Sequence, residues 1–288
     1  MRITVGVWRL QRVLTVLFSA GIILAVVLGV MMVTLWHGQE RIAFQPPGPP
    51  HPDGGGARRI DFQASDGQPL FAYLVEAGPS SKGLVIVFHG NADLAAWQIP
   101  WATEVSRRTG RAVLLPEYRG YAGLSGEPTY RGGRLDARAI YSVARDSLGV
   151  APEHIAFFGH SLGSAIATEL ARDTQPEVLV LLAPLTSVRD MASLISPVAT
   201  LLYRMRGVRV RYDTEAIVRS LDTPVWVAHG TEDQVIPLQM GQRVFAAARL
   251  KGELLIVPGA DHNTVIEHGG DRYWSWLMRA LGHGAPAD

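Results

Sequence analysis

Ile155-Ala156-Phe157-Phe158-Gly159-His160-Ser161-Leu162-Gly163-Ser164-Ala165-Ile166-Ala167 is the stretch on which the fold of this chain turns. An apolar run leads into the pentapeptide at 159–163, and a small-residue helix start follows it. Strand, G-x-S-x-G, helix is the setting of a nucleophile elbow. The physical reason lies in the backbone. The serine sits on a very tight turn, and glycines two residues to either side let strand and helix approach without Cβ clashes. The turn lifts the hydroxyl clear of the sheet and aims a helix N-terminus at the reacting centre. Alone, the pentapeptide is short enough to be an ordinary glycine-rich turn. What lies elsewhere in the chain decides between the two.

Working outward, two extended runs, 60–63 and 70–75, bracket Ser65-Asp66-Gly67-Gln68, which predicts an antiparallel hairpin around a D-G turn. Beyond it the pattern alternates. Short apolar runs at 84–88, 112–115, 155–158, 178–182, 225–228 and 254–257 read as strands. Helix-length segments at 94–108, 134–148, 162–172, 238–248 and 265–281 separate them. Strands without inside/outside alternation, interleaved with helices, predict an α/β fold: a mostly parallel central sheet with helices on both faces. In such sheets chemistry gathers at the carboxyl ends of the strands.

The residues just after the strands supply partners for Ser161. After 84–88 comes His89-Gly90-Asn91-Ala92. An oxyanion needs two backbone N–H donors: Leu162, next to the serine, and one from this early loop, Asn91 or Ala92. The plain alternative is a strand-ending turn. After 225–228 comes His229-Gly230-Thr231-Glu232-Asp233-Gln234-Val235-Ile236-Pro237. A carboxylate here can orient a histidine and stabilise its imidazolium. Asp233, placed before an apolar helix start, is preferred over Glu232. After 254–257 comes Pro258-Gly259-Ala260-Asp261-His262-Asn263, whose histidine can take the serine proton and return it to the leaving group. His229 and His268 are its rivals, but His229 lies at a strand end and reads as structural, and His268 lies in the final helix.

The first part of the chain of 288 residues does not read as globular. Between Arg12 and His37 no residue is charged, and residues 13–36 read VLTVLFSAGIILAVVLGVMMVTLW. At ~1.5 Å per residue such a helix is about 36 Å long, against a hydrocarbon core of about 30 Å. It exceeds a signal-peptide apolar region and lacks a small-x-small cleavage site. The expectation is therefore one uncleaved transmembrane helix. Arg2, Arg9 and Arg12 precede it, while Glu40 and Arg41 nearly cancel after it. That places residues 1–12 in the cytoplasm and the catalytic body outside, as a single-pass membrane protein. A linker is expected over 37–57, which includes QPPGPPHPDGGGA, then a catalytic domain over 58–282 and a tail at 283–288. The formal net charge of +1 gives no strong field for nucleic acid, and the lack of cysteine removes any redox argument.

With these pieces in place the chain resembles an α/β-hydrolase, in particular the membrane-anchored serine hydrolases related to the α/β-hydrolase-domain esterases and acylglycerol lipases. The resemblance is carried by His89-Gly90-Asn91, by Tyr118-Arg119-Gly120-Tyr121-Ala122-Gly123-Leu124-Ser125-Gly126, by the elbow, by Gly230-Thr231-Glu232-Asp233 and by Asp261-His262. It covers the chain from about Arg58 onward. Ala122 departs from the pattern by lengthening its loop by one residue, which bears on substrate preference rather than mechanism. A cap insertion is expected over about 185–212, apolar through 194–203 and then basic at Arg204, Arg206, Arg209 and Arg211. It reads either as a lid leaning toward anionic lipid headgroups or as a helical excursion with a solvated arginine face.

The resemblance implies an α/β-hydrolase fold and a serine hydrolase of carboxylic esters, small-molecule or lipid, with Ser161 as nucleophile, His262 as base and Asp233 as its orienting acid. Leu162 with Asn91 or Ala92 holds the oxyanion. No metal or organic cofactor is called for, because the serine supplies the covalent step. The N-terminal helix brings the membrane in as a partner, and no nucleic acid is expected. Thioester or peptide hydrolysis uses the same constellation, and a non-catalytic membrane scaffold is the reading from a different class.

Overall fold

Short runs such as Leu84–Phe88 bury every side chain, because helices cover the sheet on both sides. A computed structural model of the chain describes residues 2–47, 55–78, 81–195, 197–204 and 208–282. Part of the expected linker, 48–54, together with Arg206 and the tail 283–288, lies outside the described residues.

The strands are β1 (Arg58–Gln63), β2 (Pro69–Val75), β3 (Leu84–Phe88), β4 (Ala112–Pro116), β5 (Ile155–His160), β6 (Leu179–Leu182), β7 (Val225–Gly230) and β8 (Lys251–Val257). They form one sheet in the order β1-β2-β4-β3-β5-β6-β7-β8. The β1–β2 and β2–β4 pairs are antiparallel and the others parallel. The helices are α1 (Arg2–Ala43), α2 (Ile99–Thr109), α3 (Tyr130–Ser142), α4 (Leu162–Thr174), α5 (Val188–Ile195), α6 (Pro197–Arg204), α7 (Thr214–Val218), α8 (Leu238–Ala247) and α9 (Val265–Gly282).

The two-residue period of a strand divides the core into two layers. Leu84, Ile86 and Phe88 of β3 share a layer with Ile140, Ile166 and Leu170 from α3 and α4. Val85 and Val87 share the opposite layer with Ala102 and Val105 of α2 and Trp276 and Leu277 of α9. Thr129 sets the start of α3 four residues before the expected 134, its Oγ1 accepting the Gly132 N–H at 2.9 Å. The loop after β4 is tied down by Arg119, which donates to Asp136 on α3 at 3.0 Å and to Asp66 in the β1–β2 turn at 2.8 Å. Within that loop the extra residue, Ala122, adopts a left-handed φ of 48°.

The cap insertion leaves the body after β6 and is closed at its base by the Ser187–Asp213 bridge and by Val188 N–H donating to Tyr212 O at 3.0 Å. It holds α5 and α6, and Leu194, Ile195 and Leu201 are exposed on them. Two arginines of its basic end, Arg209 and Arg211, have partners within the protein. Arg209 Nη2 lies 3.4 Å from Glu40 Oε2, its guanidinium 5.4 Å from the Trp36 ring centroid, and Arg211 Nε donates to Val208 O at 3.0 Å.

A domain boundary also differs from expectation. A linker beginning at residue 37 is corrected: α1 continues unbroken to Ala43, because 37–43 contains one glycine and no proline, and Pro46-Pro47 come only afterwards. Within α1 the run Gln11–Thr34 is long and apolar enough to cross a membrane, with none of it buried against the rest of the chain. Phe44, directly after α1, is buried in the same layer as Leu94 and Tyr121. Burying such a ring contributes about 1.5–3 kcal/mol, so the end of the helix is seated in the body and not merely strung to it.

Candidate active site

Backbone geometry at the end of β5 makes the site possible. Ser161 has φ 53° and ψ −119°, a strained conformation for a residue with a side chain. A Cβ on Gly159 would collide with the Gly163 carbonyl, and one on Gly163 would fall inside the Phe88 carbonyl on β3. Only glycine at both positions lets α4 start this close to the sheet. Ser161 N–H donates to Leu182 O at 3.0 Å, which holds the turn against β6.

The structure brings Ser161, His262 and Asp233 into one hydrogen-bonded line. Ser161 Oγ is 2.9 Å from His262 Nε2, and His262 Nδ1 is 2.7 Å from Asp233 Oδ2. A carboxylate only accepts, so Nδ1 carries the proton and Nε2 presents its lone pair to the serine hydroxyl. Asp233 is buried, whereas Glu232 beside it and His268 on α9 are exposed. Oδ1 of Asp233 accepts the N–H groups of Val235 at 2.9 Å and Ile236 at 2.8 Å. Burial alone would raise the Asp233 pKa. Hydrogen bonds from His229 and His262, with the Ile236 N–H, outweigh that and hold the carboxyl well below the usual range.

His229, set aside in the sequence as a strand-end residue, is fully buried against this carboxylate. Its Nε2 lies 3.2 Å from Asp233 Oδ2 and 2.8 Å from Ile236 O. Both are acceptors, so Nε2 carries a proton, and Nδ1 is buried without a partner among the described residues. His160, inside the elbow, donates from Nε2 to His262 O at 3.2 Å. Burial, reinforced by His262, pushes its pKa down to about 4, so it is neutral at neutral pH.

The loop after β3 lies against the elbow: a Cβ on Gly90 would sit 3.5 Å from Ser161 Cβ. Leu162 opens α4, so its N–H has no acceptor within the helix. Of the two residues considered for the second donor, Ala92 is corrected: its N–H donates to Gln45 O at 3.1 Å. The Asn91 N–H makes no hydrogen bond among the described residues. Asn91's side chain turns away from Ser161, accepting from Gln45 N–H and Tyr121 OH, both at 2.7 Å, and donating to Ala43 O at 3.0 Å.

Beneath this loop lies an ion pair that the sequence reading did not identify. His89 Nε2 donates to Glu117 Oε1 at 3.0 Å and Nδ1 to Gly90 O at 2.9 Å, so both ring nitrogens carry protons. Glu117 also accepts from Tyr118 N–H at 3.0 Å and Ala95 N–H at 3.1 Å. Glu117 follows β4 directly, so the rule that pointed to the other strand ends would have found it. Among the described residues no cluster of His, Asp and Glu is arranged to hold a metal ion.

The family model described as "Hydrolase_4: Serine aminopeptidase, S33" matches residues 79–219. The chain is 31% identical over 246 residues to an uncharacterized protein of Mycobacterium tuberculosis, covering 84% of this chain and 86% of that one. It is 28% identical over 187 residues to a lysophosphatidylserine lipase of Danio rerio, covering 59% and 48%. Among solved structures an esterase of Pyrococcus furiosus superposes with a TM-score of 0.63 at 17% identity, over 82% of this chain and 97% of that one. At that identity the likeness speaks to the fold.

The His89–Glu117 pair makes a prediction about pH. Burial disfavours the charged ring, but the charge and hydrogen bond of Glu117 outweigh it and raise His89 above its ordinary value of 6.5. The pair's contribution is complete below that value and is lost as pH rises through the folded one. From about pH 6 to about pH 9, the urea midpoint of the wild type relative to His89→Gln should therefore fall. A difference that does not change with pH contradicts a charged His89.

Proposed function

On the premise that this chain belongs to the α/β-hydrolase superfamily, we propose that it is a serine hydrolase of carboxylic esters, with lipid acyl esters as its substrate class. The observation that carries this reading is the line from Ser161 Oγ through His262 to buried Asp233. As Ser161 Oγ attacks the ester carbonyl, His262 Nε2 takes its proton, and Asp233 stabilises the imidazolium that forms. The tetrahedral oxyanion is held by the N–H groups of Leu162 and Asn91. Collapse expels the alcohol, protonated by His262, and leaves an acyl group on Ser161. His262 then deprotonates the water that releases the acid.

The lipid preference is supported by the relative named as a lysophosphatidylserine lipase and by the apolar N-terminal helix. The same constellation serves peptide hydrolysis, which the description of the family model favours. Aminoacyl nitroanilides turned over faster than nitrophenyl esters would decide for that alternative. A scaffold without activity has no need of a strained Ser161 or a buried carboxylate, both of which cost stability.

We place the helix as a retained anchor with the N-terminus cytoplasmic and the catalytic domain outside. Support comes from the arginines before the span, from its length and from the lack of a small-x-small cleavage site after it. A reporter fused after Asp288 should be active outside the cytoplasm. Activity only in the cytoplasm would overturn this placement.

In nitrophenyl ester assays, Ser161→Ala should lower turnover by about 10⁶ and Asp233→Ala by about 10⁴, with Glu232→Ala near wild type. Near-wild-type activity in a folded Ser161→Ala protein would refute the mechanism. Equal losses at Asp233 and Glu232 would refute only the choice of acid.

A further inference from the structure

The loop beside Ser161 is fastened from an unexpected side, by the chain that leaves the membrane span. The side chain of Asn91 spends its hydrogen bonds on this segment, taking the Gln45 N–H at 2.7 Å and giving Nδ2 to Ala43 O at 3.0 Å. The next residue closes the loop with Ala92 N–H donating to Gln45 O at 3.1 Å. The second lone pair of Asn91 Oδ1 receives Tyr121 OH at 2.7 Å, from the loop after β4. Between Ala43 and Gln45, Phe44 is buried in the core and acts as the seat of the clamp.

We propose that Ala43, Phe44 and Gln45, the end of the anchor, form a positioning element of the active site that sets the oxyanion loop. Hydrolysis then depends on the segment between span and domain as well as on the triad. The proposal rests on the hydrolase reading and goes beyond it.

Four features support it. Ala92 has φ 53°, a conformation a residue with a Cβ keeps only when its surroundings impose it, and the Gln45 carbonyl supplies that restraint. Asn91 lies between that strained residue and Gly90, which packs on Ser161, so the direction of its N–H follows from how its neighbours are held. By contrast, no hydrogen bond joins this segment to Ser161, His262 or Asp233 among the described residues. Loosening it therefore moves a donor without disturbing the triad. The cap holds the same helix end: Arg209 N–H donates to Gln39 Oε1 at 2.8 Å, and its guanidinium faces Glu40.

The distance gives the arrangement a use. From Thr34, the end of the apolar run, to Ala43, the end of α1, is about 14 Å at ~1.5 Å per residue. With that run spanning a bilayer, as the anchor reading has it, the clamp keeps the 89–92 loop close to the membrane surface. A catalytic domain severed from its anchor would lose both membrane contact and a properly set oxyanion loop.

The test uses full-length protein in detergent micelles with nitrophenyl acetate, a small soluble ester that needs no membrane. Gln45→Pro removes the N–H that binds Asn91. Gln45→Ala keeps both main-chain bonds and loses only a side-chain bond to Ile42 O. Gln45→Pro should lower kcat about tenfold or more with KM within about twofold, and Gln45→Ala should match wild type, since a whole oxyanion donor is worth about 10²–10³. Phe44→Ala should reproduce the kcat loss and Phe44→Leu should restore most of it, a pair that decides the matter if Gln45→Pro does not fold. Wild-type kcat in Gln45→Pro and in Phe44→Ala overturns the proposal, as does a loss that only tracks the folded fraction. A folded wild type with no turnover overturns the hydrolase reading itself, which is a separate result.

Discussion

The backbone of α4 starts so close to β3 that Gly163 leaves no room for a Cβ against the Phe88 carbonyl, and the site depends on this approach. It forces Ser161 into its strained turn and brings the first N–H of α4 to the carboxyl edge of the sheet. It also sets the elbow beside the loop that begins one residue after Phe88. Ser161, Leu162 and the 89–92 loop are neighbours because two backbones pack at glycine distance. Any side chain at 163 would push all three apart.

Around that contact, charge is placed with unusual care for a nearly neutral chain. Asp233 is fixed by main-chain N–H groups on one oxygen and by two histidines on the other. In the proposed mechanism it meets a developing imidazolium without having to reorganise. The His89–Glu117 pair does similar work beneath the 89–92 loop, since an imidazolium bonded to Gly90 O and Glu117 fixes the strand end from which the loop departs. His160 stays neutral between them and adds no competing charge next to His262.

Much of this was legible in the sequence, and the boundary has a physical cause. The buried strands announce themselves locally, by apolar runs, and the observed β3 coincides with the run at 84–88. The elbow is local as well, and the order of Ser161, Asp233 and His262 along the chain could be read because each follows a strand. Features that depend on contacts between distant residues could not be read. Nothing in QPPGPP announces that the residue opening it bonds to Asn91, 46 positions away. The choice between Asn91 and Ala92 turned on which N–H that residue had already taken. The basic run of the cap could be read as facing lipid headgroups or solvent, and neither reading foresaw that Arg209 pairs with Glu40 on α1, a contact no periodicity encodes. His229 looked structural because a strand-end histidine usually is, and only its distance to Asp233 shows otherwise.

The central claim is that Ser161 is a nucleophile activated by His262 and Asp233, and covalent trapping tests it most directly. Folded full-length protein in micelles is treated with a fluorophosphonate, digested, and mapped by mass spectrometry. The account predicts one stoichiometric phosphonyl adduct on the peptide containing Ser161, formed far more slowly when His262 is replaced by alanine. A folded protein that takes up no adduct, or takes it up on a different residue, contradicts it.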